Sequence, residues 1–295
     1  MRIGYPCINR SIGCRANQTF RLRFYSEKKL IETALMNLSC LKKTMEWNLE
    51  NGIHFFRISS ETIPFASHSI CKFAWQDYFK QMLGEFGFFI KENGMRVCMH
   101  PGQFVVVNSK NSDVIKNSVN ELLYHAKLLD AMELDLSAKI QVHLGGVYGN
   151  KEESFLSFIE NYRRLPEEIR RRIVIENDEK NFSVSDCVFI SHQVHVPVVF
   201  DAFHHSMLHN GETALEAFCA TARTWRETDG PPIMDYSQQE PGARKGTHAN
   251  SLDINEFSVF VKKTKYIKYD MMLEIKDKEK SALKAMEELK RLDII

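Results

Sequence analysis

The chain has 295 residues, 44% of them hydrophobic and 26% charged, with a formal net charge of +1. That size buries a large core, as one big α/β domain or two ordinary ones, and the balance excludes disorder; no apolar run reaches the length of a membrane span. A near-zero charge excludes a global basic field, so a nucleic-acid partner would need local patches.

Taken in order, the strand-like run RIGYP (2–6) precedes a helical segment over 27–51. There Leu30, Ala34, Leu38, Leu41, Met45 and Leu49 form one stripe at three- and four-residue spacing, and Asn51-Gly52 stops it. IHFFRIS (53–59) leads to a second helix over 71–93, stopped by Asn93-Gly94. MRVCMH (95–100) and KIQVHL (139–144) flank a helix over 114–133. A helix over 151–171 joins the latter to RIVIEN (172–177), and the segment 184–193 is ambiguous. PVVFDA (197–202), PPIMDY (231–236) and MMLEIK (271–276) follow, with helices over 211–226, 253–264 and 278–292. Eight strands alternating with helices predict a (β/α)8 TIM barrel forming one domain over 1–295. No glycine-rich GxGxxG turn follows the first strand, which argues against a doubly wound nucleotide-binding sheet.

The seven cysteines show no CxxC pairing, and the start MRIGYPCIN has no signal-peptide core. Cys7, Cys40, Cys98 and Cys219 lie among apolar residues and are expected to be reduced, buried thiols of a cytoplasmic protein.

The strand ends carry the chemistry. They read Tyr5, Ser59-Ser60, His100, His143, Glu176, Asp201, Asp235 and Glu274, with His204 three residues after Asp201 and His68 and His248 in neighbouring loops. In a barrel all of these converge on the C-terminal mouth. Histidines and carboxylates gathered there would repel one another and lose solvation unless a cation joined them. Imidazole and carboxylate together suit Mn, Zn or Fe, and so many ligands predict a cluster of ions bridged by carboxylates such as Glu176 or Glu274. His54, His125, His192, His195, His205 and His209 are expected to be packing or surface residues.

Together GYPCIN (4–9), FFRISSETIPFASH (55–68), MHPGQF (99–104), HLGGVYGNKE (143–152), IENDE (175–179), VVFDAFHH (198–205), GTHA (246–249) and MLEIKDKE (272–279) make a dense pattern. In them the chain resembles the ultraviolet damage endonucleases, repair enzymes related to the three-metal apurinic-site endonucleases. The resemblance implies three divalent ions, Mn2+ by family habit, on His100, His143, Glu176, Asp201, His204, His248 and Glu274. Glu176 and Glu274 would serve at the reacting centre, with His68 beside them. Tyr5, Gln103 and Phe104 match positions that probe the lesion, and Asn9 matches a position near the flipped nucleotides.

One departure concerns the seventh strand, where the family often reads Pro-Lys-x-His. An ungapped match anchored on Ser237-Gln238 puts Pro232 at the lysine and Met234 at the histidine. A shift of one residue puts Asp235 there instead, and Asp235 is the expected ligand because a hard ion accepts carboxylate oxygen better than sulfur.

The expected reaction is a nick 5′ to pyrimidine dimers, 6-4 photoproducts and abasic sites in double-stranded DNA. A metal-activated water would attack phosphorus in line, leaving 3′-hydroxyl and 5′-phosphate ends. Photoproducts stack poorly, so extruding them costs less than extruding normal bases. Arg244 and Lys245, beside His248 in a mouth loop, could hold backbone phosphates. The protein is expected to act as a monomer away from membranes. Two other classes remain open: a metal-dependent sugar or sugar-phosphate isomerase on the same barrel, and a damage-binding protein that has lost catalysis.

Overall fold

The computed structural model describes all 295 residues. Its strands are β1 Ile3–Pro6, β2 Phe55–Ile58, β3 Arg96–Met99, β4 Lys139–His143, β5 Ile173–Glu176, β6 Val198–Asp201, β7 Ile233–Tyr236 and β8 Asp270–Leu273. They pair in chain order, and β1 closes on β8 through Ile3↔Met271 and Gly4↔Met272, so the parallel sheet is a closed barrel without edges. Each expected run contains its strand, except that β8 starts one residue early.

The helices are α1 Glu27–Glu50, α2 Trp75–Tyr78, α3 Lys80–Glu92, α4 Ser112–Ala131, α5 Lys151–Arg164 and α6 Glu167–Arg170. They continue as α7 Val184–Val194, α8 Ala202–Met207, α9 Ala214–Ala222, α10 Ile254–Thr264 and α11 Glu279–Arg291. Two expected helices are divided. The 71–93 segment breaks at Phe79, and the 151–171 segment breaks at Leu165-Pro166, where proline disfavours a helical predecessor. The ambiguous 184–193 segment is α7, started by the Ser183 N–H donating to Asp186 Oδ2 at 2.7 Å.

Side chains alternate along each strand, and this separates two cores. The outward set joins the helices in a cluster of 64 buried residues. The inward set holds Phe55, Cys98, Val174, Val199, Ile233 and Met272, a separate apolar plug inside the barrel. Two residues further along the same strands come Arg57, His100, Glu176, Asp201, Asp235 and Glu274, which therefore face inward one layer nearer the mouth. Two residues before Cys98 and Met272 come Arg96 and Asp270, ion-paired at 3.0 Å at the opposite end. The plug thus parts a charged floor from a charged mouth. No helix is long and apolar enough to cross a membrane.

The expectation of reduced cysteines needs correction. Cys40 in α1 is disulfide-bonded to Cys14 of the β1–α1 loop, with Cα atoms 5.9 Å apart across a sequence separation of 26. Periodicity places Cys40 on the buried face of α1, but no local signal tells that the loop folds back onto that face. Cys98 is free and buried, while Cys7 and Cys219 are free and only partly buried. Loop closure of this length stabilises a chain by about 3 kcal/mol. A reductant, or Cys14→Ser, is expected to lower the melting temperature by roughly 5 to 10 °C in a thermal scan. An unchanged melting temperature would show that the bond constrains nothing.

His125 in α4 is packing, as expected. It is fully buried; Nδ1 donates to the Glu121 carbonyl at 2.7 Å and Nε2 lies 3.0 Å from Ser60 Oγ. Burial pulls its pKa down from 6.5 to about 4. The unfolded chain takes up this proton first, so the contribution is intact above pH 6.5 and is lost as pH falls through that window to about 4, amounting to roughly 3 kcal/mol. His125→Gln should flatten the acid limb of urea-measured stability; an identical slope would clear His125 of responsibility.

Candidate metal centre

The barrel mouth opens into a cavity of about 630 Å³ lined by His100, His143, Glu176, His204, His248 and Glu274 among others. β3 to β6 and β8 deliver His100, His143, Glu176, Asp201 and Glu274 at their ends. α8 delivers His204: the expected strand PVVFDA turns into a helix at Ala202. Its cap is Asp201, whose Oδ1 accepts from the His204 N–H at 2.7 Å. His204 Nδ1 donates to the Asn177 carbonyl at 3.0 Å, and His248 Nδ1 to the Glu274 carbonyl at 2.9 Å. Both rings are thereby oriented, each with Nε2 left for another partner.

Three triads offer ligand atoms within 4.8 Å of one another: His100, His143 and Glu176; Glu176, Asp201 and His204; and Asp201, Asp235 and Glu274. Glu176 belongs to the first two and Asp201 to the last two. Glu176 lies 3.1 Å from His143 Nδ1, 3.5 Å from His100 Nε2 and 3.7 Å from His204 Nδ1. Even so, His143 Nδ1 makes no aligned hydrogen bond, and His100 Nδ1 is likewise buried without a partner. His143 Nδ1, buried beside the Glu176 carboxylate, costs desolvation without return, and a divalent cation between the two would supply the missing partner. The donor set fits a metal.

Electrostatics point the same way. Burial, then repulsion by Asp235 and Asp201, raises the Glu176 pKa well above the usual range. Burial also raises Asp201, and it lifts Asp235 to about 7 against the pull of Arg57. Glu274 feels the same burial, but Arg57, His100 and His248 outweigh it and hold it low. Burial lowers His100 and His143, which keeps both rings in the neutral form that binds metals. Burial pulls His204 down as well, but the Asp201 charge and the Asn177 carbonyl overcome it and raise it.

A family model described as UV-endonuclease UvdE matches residues 1–295. The chain belongs to the UvdE family. A UV DNA damage endonuclease of Clostridium perfringens (strain 13 / Type A) is 39% identical over 295 residues, covering 99% of this chain and 72% of its own length. The solved structure of SacUVDE has 48% identity and a TM-score of 0.96 over 100% of both chains. Endonuclease IV from Thermus thermophilus superposes at a TM-score of 0.59 with 14% identity, covering 86% of this chain and 94% of its own. D-psicose 3-epimerase from Clostridium cellulolyticum does so at 0.57 with 13% identity, over 84% and 91%. At those identities the likeness is one of fold alone.

Within this UvdE chain, the two seventh-strand candidates face opposite ways. Met234 points outward into the helix-facing core and Asp235 points into the barrel, fully buried. Other expected residues lie elsewhere. Tyr5, expected to probe a lesion, is wholly buried: its ring meets Phe56 edge-to-face, and its hydroxyl donates to Asn48 Oδ1 at 2.6 Å and accepts from Asn9 Nδ2 at 2.9 Å. Asn9 is buried with it and accepts from the Ser11 N–H at 2.8 Å, so this pair shapes the β1 loop and offers no free face to a nucleotide. His68 is exposed and lines a second cavity of about 810 Å³, not the one lined by Glu176 and Glu274. Gln103 lines the carboxylate mouth, whereas Phe104, 61% exposed, lines that second cavity, so the β3 loop is a ridge between the two. Arg244 and Lys245 are exposed on the loop that carries His248.

Sequence reasoning missed Arg57, Gln141 and Lys278. Arg57 stands inside an apolar strand, and a charge in such a run was the available signal. Lys278 lines the mouth with φ 58° and ψ −115°, and Cys7 lines it with φ 70°. These two residues other than glycine thus hold sparsely populated backbone conformations at one cavity.

Proposed function

We propose that this chain is a metal-dependent endonuclease that nicks double-stranded DNA directly 5′ to ultraviolet photoproducts and abasic sites, leaving 3′-hydroxyl and 5′-phosphate ends. One observation carries the reading: in a UvdE-family chain, Glu176 is shared by two triads of ligand atoms at an open barrel mouth. Divalent ions there, Mn2+ by the family resemblance, would lower the pKa of the attacking water and neutralise charge on the leaving oxygen.

The protein's own part is positioning. His100, His143 and His204 with Glu176 and Asp201 would hold the ions, and the carbonyls of Asn177 and Glu274 fix the rings of His204 and His248. Gln103 reaches the same mouth and is suited to read base edges, while Arg244 and Lys245 would meet phosphates as the duplex docks. The chain acts as a monomer in the cytoplasm, where its substrate is reached.

The test is incision of an end-labelled duplex carrying one defined photoproduct, with Mn2+ and with a chelator, beside an undamaged control. A metal-dependent nick immediately 5′ to the lesion supports the reading. Binding without cutting would instead indicate a damage sensor.

Phe104→Ala is expected to weaken binding to the damaged duplex by roughly 10- to 100-fold, the worth of one base–aromatic stack, and to leave metal binding unchanged. Equal affinity of the variant in a filter-binding titration would assign Phe104 to loop packing.

A further inference from the structure

We propose that Arg57 occupies the place of a third cation, so that the mouth binds two divalent ions and not three. The inference rests on the reading of the mouth as a metal centre and is independent of what that centre cuts.

The three triads are not equivalent. The two that share Glu176 contain no arginine or lysine. The third, Asp201 with Asp235 and Glu274, is already engaged by a guanidinium. Arg57 Nη2 lies 2.9 and 2.8 Å from the two Asp235 carboxylate oxygens, Nη1 donates to Glu274 Oε1, and Nη2 also reaches Gln141 Oε1 at 3.1 Å. Gln141 Nε2 donates in turn to Asp235 Oδ2 at 2.6 Å and to Glu176 Oε2. Both Asp235 oxygens are committed, and an ion at this triad would have to displace a charge-assisted fork to reach them.

Arg57 has nowhere else to go. Its side chain is 3% exposed, and that of Asp235 is fully buried. A guanidinium does not give up its proton, so the charge is permanent.

The experiment is to strip the full-length protein with chelator, load it with excess Mn2+, remove free ion, and count manganese per chain by elemental analysis, with calorimetric titration as an independent count. Two ions per chain are expected for the natural protein. Arg57→Gln, confirmed as folded by circular dichroism, is expected to take up a third; Arg57→Lys, which keeps one charge, should stay at two. Three ions in the natural protein would overturn the inference and leave the metal centre standing. No bound ion would overturn both. Should Arg57→Gln not fold, the natural protein's count and the Lys variant still decide; a folded Arg57→Gln chain that stays at two would remove Arg57 as the cause.

Discussion

A Glu176→Gln chain is expected to lose incision by on the order of 10³-fold or more, while the metal-free protein becomes no less stable than its parent. The two halves of this result share one cause. Glu176 is 2% exposed and contributes an oxygen to both arginine-free triads. An amide cannot neutralise or bridge two cations, so both sites weaken together. Without ions, the carboxylate is a burden: it is desolvated, and Asp235 and Asp201 oppose its ionisation. A carboxyl whose folded pKa is raised stabilises the fold fully below its unfolded value and loses that contribution as pH rises through the folded one. The metal-free parent should therefore lose stability as pH climbs above about 4, the ordinary carboxyl value, and Glu176→Gln should lose less. On the proposed reading, added Mn2+ at a thousand times its Kd is expected to raise the parent's stability by about 4 kcal/mol, seen as a higher melting temperature. In Glu176→Gln that rise should largely vanish. A variant that keeps both the nick and the Mn2+ shift would remove Glu176 from the centre.

The second large effect belongs to the other end of the barrel. Asp270→Ala is expected to cost about 3 to 5 kcal/mol, because it strands buried positive charge. Asp270 Oδ2 accepts from Arg96 and from Arg2, each at 3.0 Å, and Oδ1 accepts from the Arg2 backbone N–H at 2.9 Å. Arg96 is then left with the carbonyls of Ser137, Asp229 and Pro231, none of which balances a charge. The melting temperature should fall by on the order of 10 °C. Asp270→Asn, which keeps an acceptor, should fall less. The folded fraction of either variant should retain its Mn2+ shift, since the apolar plug stands between this floor and the mouth. A loss of metal binding without a loss of stability would contradict that separation.

The strands were legible because each is a short apolar run closed by a turn, and the candidate ligands were legible because six of the eight runs end on a histidine or a carboxylate. Partners across the barrel were not. Arg57 and Asp235 are 178 residues apart, and no local pattern tells which residue of a distant strand a charge will meet. The choice between Met234 and Asp235 stayed open for a related reason: a shift of one residue sends a strand side chain to the opposite face. The α8 helix escaped because six residues give too few turns for a period to show, although its Asp201 cap stood in plain sight. Tyr5 was misplaced because a strand-end position was taken as a mouth position, whereas β1 turns that ring outward toward α1.

Closure of the sheet also orders events in time. Ile3 waits for Met271, and that pairing cannot form until nearly the whole chain has left the ribosome. Contacts so distant in sequence form slowly and late. Until β7 and β8 dock, Arg57 lacks both carboxylates that hold it, and the ring of acidic strand ends is incomplete. A half-made chain therefore has an open ring of acidic strand ends and an unpaired Arg57, and the last strand to arrive is the one that closes both.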